Sequence, residues 1–366
     1  MPKLNTAALD AATIYLYRGN AYNKKGEYDR AIADYNQALQ LNPKLAAFFY
    51  HRGSAYGHKG EYDRAIADFN QALKLNPKLA AFNNRGIAYG NKGEYDRAIA
   101  DFTQALKLNS KYAESFYNRG IAYNDKKEYD RAIADFTQAL KLNSKYAESF
   151  YNRGNAYGNK GEYDRAIADF TQALKLNPKY AEAFHSRGNA YNDKKEYDRA
   201  IFDYNYALIL NPKYAEVFHN RGIAYGKKGE HNRAIANFTQ ALKLNPKYAE
   251  SFYNRGNAYG NKGEYNRALA DFTQALILNP KYAEAFNNRG MAYGKKGQHD
   301  RALADFNQAL KLNPKDAKAF YNRGIAYELK DDKVKAIESY RQALAVAQDP
   351  QVKELAQRKL KELEGK

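Results

Sequence analysis

The side chains that most often perform chemistry are few and scattered in this chain. It has no cysteine and six histidines, which are His51, His58, His185, His219, His231 and His299. His185 and His219 hold the same place in adjacent copies of a repeated unit, so helix packing would separate them by on the order of 10 Å, too far for one metal ion. No phosphate-binding loop, dinucleotide fingerprint or nucleophile elbow occurs. We predict no catalytic site, no metal, no cofactor and no enzymatic activity.

Asparagine amides offer a different chemistry, because they recur at a fixed spacing. Seven of them directly precede an Arg-Gly pair: Asn84, Asn118, Asn152, Asn220, Asn254, Asn288 and Asn322. A primary amide carries both a donor and an acceptor, as a peptide bond does. A row of such amides on one surface could therefore hold an extended peptide by its backbone. Such a row forms only if each asparagine stands on an equivalent structural element and faces the same side of the protein.

Those elements come from one unit of 34 residues that is copied ten times. The Arg-Gly glycines follow one another at 34 residues, except for one step of 33 between Gly53 and Gly86. We number each unit so that this glycine is position 8. The predicted units are 12–45, 46–79, 80–112, 113–146, 147–180, 181–214, 215–248, 249–282, 283–316 and 317–350. An N-terminal segment, 1–11, precedes them, and residues 351–366 follow.

Each unit is predicted to be a pair of helices. In the unit 147–180, Gly154 and Tyr157 lie on one face of a first helix, which ends at Gly161. A second apolar stripe ends before Pro178, which cannot continue a helix. Two units carry lysine where Gly161 stands, at Lys127 and Lys195, and we expect less favourable turns there.

The order of residues within the unit resembles the tetratricopeptide repeat (TPR) family. Shared features are an aromatic residue at position 4, Gly at 8, Tyr at 11, Ala at 20 and 27, Phe at 24 and Pro at 32. The resemblance implies an all-α, right-handed α-solenoid superhelix of ten helix-turn-helix units, with first helices inside. The segment 351–366 places Val352, Ala356 and Leu360 on one face, which predicts a C-terminal capping helix.

The resemblance also implies where a partner would bind. The asparagines at position 6 would line the concave groove and hold a peptide segment of a protein partner, as in a scaffold or adaptor. Position 5 adds side chains suited to contact: Tyr50, Tyr117, Tyr151, Tyr253, Tyr321, His185 and His219. The alternative is that asparagine is merely tolerated on a solvated face and was copied with the repeat.

Arginine fills position 7 in all ten units, where the family usually has leucine. An aspartate at position 23 accompanies it in eight units, and we predict an ion pair between them across the two helices. The alternative is a basic ladder that faces a ligand. Asn237 and Ser339 replace the aspartate, so Arg221 and Arg323 are expected to be freer to contact a partner.

A second candidate surface lies in the sixth unit. Phe202, Tyr206 and Ile209 replace the usual Ala, Gln and Lys on one face of its second helix, which should be convex. An apolar patch there favours self-association into a homo-oligomer, or a further partner. The alternative is closer packing against the seventh unit.

The formal net charge of +18 raises the question of acidic partners. Many lysines stand near helix C-termini, where cations are favoured, so we consider a nucleic-acid partner unlikely. No signal peptide or membrane span is seen, so we expect no membrane partner and a cytoplasmic location.

Overall fold

The computed structural model describes residues 6–365, without the side chains of residues 6–10 and 79. Within that range the chain forms helices and no strand, in two compact units that divide after Lys179. The first unit contains α1 (Thr6–Lys24), α2 (Tyr28–Leu41), α3 (Ala46–His58), α4 (Tyr62–Leu75), α5 (Leu79–Asn91), α6 (Tyr95–Leu108), α7 (Ala113–Asp125), α8 (Tyr129–Leu142), α9 (Ala147–Asn159) and α10 (Tyr163–Leu176).

The second compact unit continues the alternation of first and second helices and adds one helix at its C-terminal end. It contains α11 (Ala181–Asp193), α12 (Tyr197–Leu210), α13 (Ala215–Lys227), α14 (His231–Leu244), α15 (Ala249–Asn261), α16 (Tyr265–Leu278), α17 (Ala283–Lys295), α18 (His299–Leu312), α19 (Ala317–Glu328), α20 (Lys333–Val346) and α21 (Pro350–Glu364). Within each compact unit, the two helices of a repeat pack as a hairpin, and each hairpin stacks on the next. The predicted all-α solenoid of helical hairpins is confirmed.

The turn inside each hairpin depends on one residue in the left-handed conformation. Gly161 has φ 77°, and a Cβ added there would meet nothing within 4 Å. Lys127 and Lys195 adopt the same conformation, with φ 61° and 62°, although they carry a side chain. The expectation of less favourable turns at these two lysines therefore rests on an observed backbone conformation.

The close approach of the two helices requires glycine at position 8. A Cβ on Gly154 would lie 2.7 Å from Cε1 of Phe170, which is itself buried. Ala166 and Ala173 flank Phe170 on α10 and are fully buried. The small residues of one helix thus make room for the large ring of the other, as interdigitated packing demands.

The two ends of the chain differ from the repeats. α21 begins at Pro350 after Asp349, whose side chain accepts a hydrogen bond from the Gln351 amide. Val352 and Ala356 of α21 are buried, so this helix covers the apolar edge of the last hairpin as predicted. At the other end, α1 begins at Thr6 and so includes part of the predicted segment 1–11, whose residues 1–5 lie outside the described residues.

Candidate functional site

The arginine at position 7 joins the two helices of its own repeat. Arg153 donates from Nε to Oδ2 of Asp169 at 2.7 Å and from Nη2 to Oδ1 at 2.8 Å. Its guanidinium carbon also lies 5.6 Å from the ring centre of Phe150. The hydrogen bond to Asp169 raises the pKa of Arg153. All eight predicted Arg–Asp pairs form in this way, which confirms the structural interpretation.

The same arginine also reaches the preceding repeat. Nη1 of Arg153 donates to Oγ1 of Thr137 at 2.9 Å, and Nη1 of Arg52 donates to Oδ1 of Asn36 at 2.6 Å. Each guanidinium therefore links the two helices of one hairpin and the second helix of the hairpin before it. The sequence pattern predicted the first link and missed the second, although a polar residue at position 25 was the available signal.

Two arginines have neutral partners in place of a carboxylate. Arg221 donates to Oδ1 of Asn237 at 2.7 Å and to Oδ1 of Asn205 at 2.6 Å. Arg323 donates to Oγ of Ser339 at 3.2 Å. Burial lowers the pKa of both arginines. The expectation that they are freer to contact a partner is wrong, because both are hydrogen-bonded, but their charge is not neutralised by an ion pair.

The asparagines at position 6 connect adjacent first helices. Nδ2 of Asn152 donates to the Tyr117 hydroxyl at 2.9 Å, and Nδ2 of Asn84 donates to the Tyr50 hydroxyl at 3.1 Å. In six of the seven asparagines an acceptor is the position 5 side chain of the preceding repeat. The other such pairs are Asn118 with Asn83, Asn220 with His185, Asn288 with Tyr253, and Asn322 with Asn287.

Asn254 departs from this arrangement. The corresponding acceptor would be His219, whose Nδ1 instead contacts Oγ of Ser251 at 2.7 Å. Within the described part of the chain, the Asn254 side chain has no hydrogen-bond partner, and it lines an open pocket. Both polar atoms of this amide are therefore available.

The tyrosines at position 5 are partly buried between helices. The Tyr117 ring lies 6.0 Å from Phe136 and 4.6 Å from Tyr146, and Tyr151 lies 5.9 Å from Phe170. Tyr253 and Tyr321 make equivalent contacts with Phe272 and Tyr340. Burial raises the pKa of Tyr117 and Tyr253. These rings support the asparagine row from beneath and expose only part of their surface.

The two histidines at position 5 lie in the interior. His185 is 5% exposed and His219 is 6% exposed, and burial lowers the pKa of each to about 4. Nε2 of His185 accepts from Nδ2 of Asn220 at 2.9 Å, which is a bond of the neutral ring. His185 therefore holds Asn220 in place, and both histidines present little surface to a ligand.

Small pockets open between adjacent first helices. One pocket of about 170 Å³ lies beside Asn84, over Phe69 and Gly57, and another of about 140 Å³ lies beside Asn118 and Ile121. A third, of about 190 Å³, lies beside Asn254 and includes Lys227 and Asn257. The sequence pattern missed these pockets. Their signal was a glycine at position 12, one residue before the end of the first helix, such as Gly90 of α5, where a Cβ would meet nothing within 4 Å.

The predicted surface on the sixth repeat is solvent-exposed. Phe202 is 56% exposed, Tyr206 is 43% exposed and Ile209 is 72% exposed. The Phe202 and Tyr206 rings are 4.9 Å apart, and Phe184 stacks on Tyr206 at 5.3 Å. These three side chains form one apolar patch on α12, so close packing against the seventh repeat does not bury them.

Two further classes of site are absent from the described range. No group of three His, Asp or Glu side chains stands close enough there to bind a metal ion. None of the helices between residues 6 and 365 has both the length and the apolarity needed to cross a bilayer.

Repeat-family models match most of the chain. The model described as TPR repeat matches residues 19–60, 188–229 and 227–263. Models described as tetratricopeptide repeat match 46–79, 147–180, 249–282, 283–316 and 317–350, and also 83–147 and 170–202. Together these matches cover well over half of the 366 residues. No curated protein is significantly similar to the chain in sequence.

Solved structures with the same repeat resemble the chain. A tetratricopeptide repeat protein from Parabacteroides merdae is 21% identical, with a TM-score of 0.55, over 68% of this chain and 98% of that chain. The APC/C hetero-tetramer Cut9–Hcn1 matches at 16% identity and a TM-score of 0.54, over 94% and 89%. YrrB, described as a TPR protein with an unusual peptide-binding site, is 28% identical over 50% and 95%, with a TM-score of 0.44. Stacked helical hairpins that carry the repeat pattern, and models that match almost all of them, establish that the chain belongs to the tetratricopeptide repeat family.

Proposed function

We propose that the chain is a non-enzymatic protein-interaction scaffold that binds an extended peptide segment along its position 6 asparagines. The family membership supports the coarse function, because TPR repeats are generally interaction modules. The observation that carries the finer proposal is the hydrogen bonding of these amides. The amide group donates one hydrogen bond (Asn152) or two (Asn84 and Asn220) to the preceding repeat, which fixes its orientation.

The orientation leaves peptide-binding atoms available. Oδ1 of Asn84, Asn118 and Asn152 accepts no hydrogen bond in the described structure. Nδ2 of Asn118 and Asn152 also retains a second hydrogen, whereas Nδ2 of Asn84 donates to Oγ of Ser54 as well, at 3.4 Å. Side chains held in this way lose little entropy on binding, so each bond to a peptide N–H or C=O contributes more of its energy to affinity.

The pockets suggest the spacing of the bound segment. Adjacent first helices are on the order of 10 Å apart. An extended chain advances about 3.3 Å per residue, so every third side chain would reach the next pocket. The pocket beside Asn118 includes Ile87 and Ile121 and fits a small aliphatic side chain. The pocket beside Asn254 includes Lys227 and favours an acidic or amide side chain.

Asn254 provides a sharp test. Its replacement by alanine removes a candidate contact without breaking any bond between repeats. A random dodecapeptide library displayed on phage would be selected on the full chain, and the enriched peptide labelled for fluorescence anisotropy. We expect Asn254→Ala to weaken binding at least fivefold with an unchanged unfolding temperature. The matched control, Gln274→Ala on α16, the second helix of the same hairpin, should change affinity less than twofold.

The triple variant Asn152→Ala, Asn220→Ala, Asn254→Ala extends the test along the row. It should weaken binding further, and it should lower stability modestly because three hydrogen bonds between repeats are lost. If the enriched peptide binds both asparagine variants as tightly as the parent chain, the asparagine row is not the binding site.

Self-association through α12 is a second candidate function. The exposure of Phe202, Tyr206 and Ile209 favours it, since a contiguous apolar patch commonly marks an interface. Sedimentation velocity would measure the mass of the full chain and of the variant Phe202→Ala with Ile209→Lys. We expect a dimer that the variant converts to a monomer; a parent chain that is monomeric at 50 μM, or a dimer that survives the variant, excludes this surface.

A further inference from the structure

Most charges within a repeat are neutralised by a neighbour. In the repeat 147–180, Lys160 pairs with Asp130 and Glu162, and Arg165 pairs with Glu162. Arg153 pairs with Asp169. The positive charge that remains must therefore lie elsewhere in the repeat.

It lies at positions 29 and 33, where one repeat passes into the next. Within the first compact unit these positions carry exposed lysines that form no ion pair in the described structure: Lys74, Lys78, Lys107, Lys111, Lys141, Lys145, Lys175 and Lys179. Glutamates follow closely in the chain at three of these four junctions, Glu114, Glu148 and Glu182. Each lysine at position 29 stands in the last turn of a second helix, and the equivalent helices of the unit share one orientation, so the lysines repeat along one edge.

Exposed leucines lie between the lysines. Leu75, Leu108, Leu142 and Leu176 end α4, α6, α8 and α10, and they are 42%, 54%, 41% and 40% exposed. Leucines two residues earlier, such as Leu73 at 8%, are buried instead. Four exposed leucines with eight unpaired lysines form what we call the lysine–leucine edge.

We propose that the lysine–leucine edge attaches the chain to the surface of an anionic lipid bilayer. Leucine side chains can enter the boundary between head groups and acyl chains, and lysine stems reach back to the anionic head groups. Each lysine near such a surface strengthens binding about fivefold, and salt weakens the effect. A single-stranded nucleic acid would meet the charges but would leave the leucines unused.

Surface attachment of this kind requires no membrane-spanning helix. It therefore revises the sequence-based expectation of no membrane partner and leaves the peptide-binding proposal untouched. The attachment involves only residues of the first compact unit, and none of them belongs to the asparagine row.

Vesicle flotation tests the proposal with the full chain. The probes are phosphatidylcholine vesicles alone and vesicles with 30% phosphatidylserine, in 0.1 M and 0.5 M NaCl. We expect binding to the anionic vesicles at 0.1 M salt, at least tenfold less binding at 0.5 M salt, and none to neutral vesicles. Asn254→Ala should bind the vesicles as the parent chain does, which separates this result from the peptide test.

Three variants determine which groups act. Replacing Lys74, Lys107, Lys141 and Lys175 by Gln should reduce binding at least thirtyfold. Replacing Leu75, Leu108, Leu142 and Leu176 by Ser should reduce it at least tenfold, with circular dichroism and unfolding temperature as checks of the fold. The matched control replaces four exposed, unpaired lysines near the C-terminal end, Lys318, Lys333, Lys353 and Lys361, by Gln and should change binding less than threefold. If the fourfold leucine variant fails to fold, Leu108→Ser alone should reduce binding at least twofold.

Three results would overturn the proposal. The first is no binding to the anionic vesicles at 0.1 M salt. The second is an equal loss in the edge and control lysine variants, which would mean that net charge alone matters. The third is full vesicle binding by the leucine variant, together with binding of a 30-nucleotide single-stranded DNA by the parent chain that is tighter than its binding of the anionic vesicles. That result would assign the edge to a nucleic acid.

Discussion

Arg153 and Asp169 form a doubly hydrogen-bonded ion pair across the hairpin of the fifth repeat, with N–O distances of 2.7 and 2.8 Å. Asp169 is 6% exposed, so its charge depends on this partner. Because Arg153 also donates to Thr137 of the preceding repeat, the pair couples folding within a hairpin to stacking between hairpins.

The seventh repeat lacks this ion pair, and Asn237→Asp should restore it. Arg221 already donates to Oδ1 of Asn237 at 2.7 Å. The aspartate gives up the hydrogen bond from Nδ2 of Asn237 to the Arg233 carbonyl, and its second oxygen turns toward Arg221 as in the paired repeats. We expect stability to rise by about 1 kcal/mol, because a charged acceptor replaces a neutral one. Urea denaturation and hydrogen exchange of the seventh repeat would measure it. The converse change, Asp169→Asn, should lower stability; no effect of either substitution would contradict the role given to the pair.

Gly154→Ala and Gly158→Ala should change stability in opposite directions. A Cβ on Gly154 would lie 2.7 Å from the Phe170 ring, so we expect a loss of roughly 1–3 kcal/mol from overpacking. On Gly158 the nearest atom is Cβ of Ala166 at 4.0 Å, so the higher helix propensity of alanine should add roughly 0.5–1 kcal/mol. Thermal unfolding followed by circular dichroism compares them, and equal effects would show that the helices do not approach as described.

Lys127→Gly should stabilise the fourth repeat. Lys127 has φ 61°, a left-handed conformation that costs a residue with a side chain roughly 1–2 kcal/mol. Glycine avoids most of that cost, so we expect a gain of about 1 kcal/mol in urea denaturation. The matched control is Gly161→Lys, at φ 77°, which should lose a similar amount. A stabilising Gly161→Lys would contradict this explanation of the turn.

Stability should fall between pH 6.5 and pH 4 because of His185 and His219. Burial lowers the pKa of both to about 4, so the folded chain stays unprotonated while the unfolded chain takes up protons. The loss reaches about 3 kcal/mol per histidine near pH 4 and levels off below it. His185→Tyr with His219→Tyr, which copies the residue of other repeats, should flatten the profile. Urea midpoints at pH 7 and pH 4.5 would measure the change, and an unaltered slope would assign the pH dependence to other groups.

Much of the fold was predictable because its causes are local. The left-handed glycine at Gly161, the proline at Pro178 and the apolar spacing in between determine where helices begin and end. The Arg153–Asp169 pair was predictable as well, since antiparallel helices of known length place positions 7 and 23 together.

The candidate site was less predictable because its partners belong to neighbouring repeats. Asn152 looked like a free amide in the sequence, yet it donates to Tyr117 of the repeat before it. Asn254 stands in the same pattern and has no partner, because His219 bonds to Ser251 instead. Nearly identical units therefore differ in chemistry according to a single hydrogen bond at the junction with the preceding unit.

The sequence by itself determined the hairpin, its caps and its copy number, since these follow from short-range sterics and a repeated apolar pattern. Only the tertiary structure decided which amides are engaged, where pockets open beside Gly57 and Gly90, and that His185 and His219 are buried. The physical reason is that burial and hydrogen-bond pairing depend on how one helix packs against the next. A hydrogen bond between two side chains that are 35 residues apart leaves no signal in the local sequence.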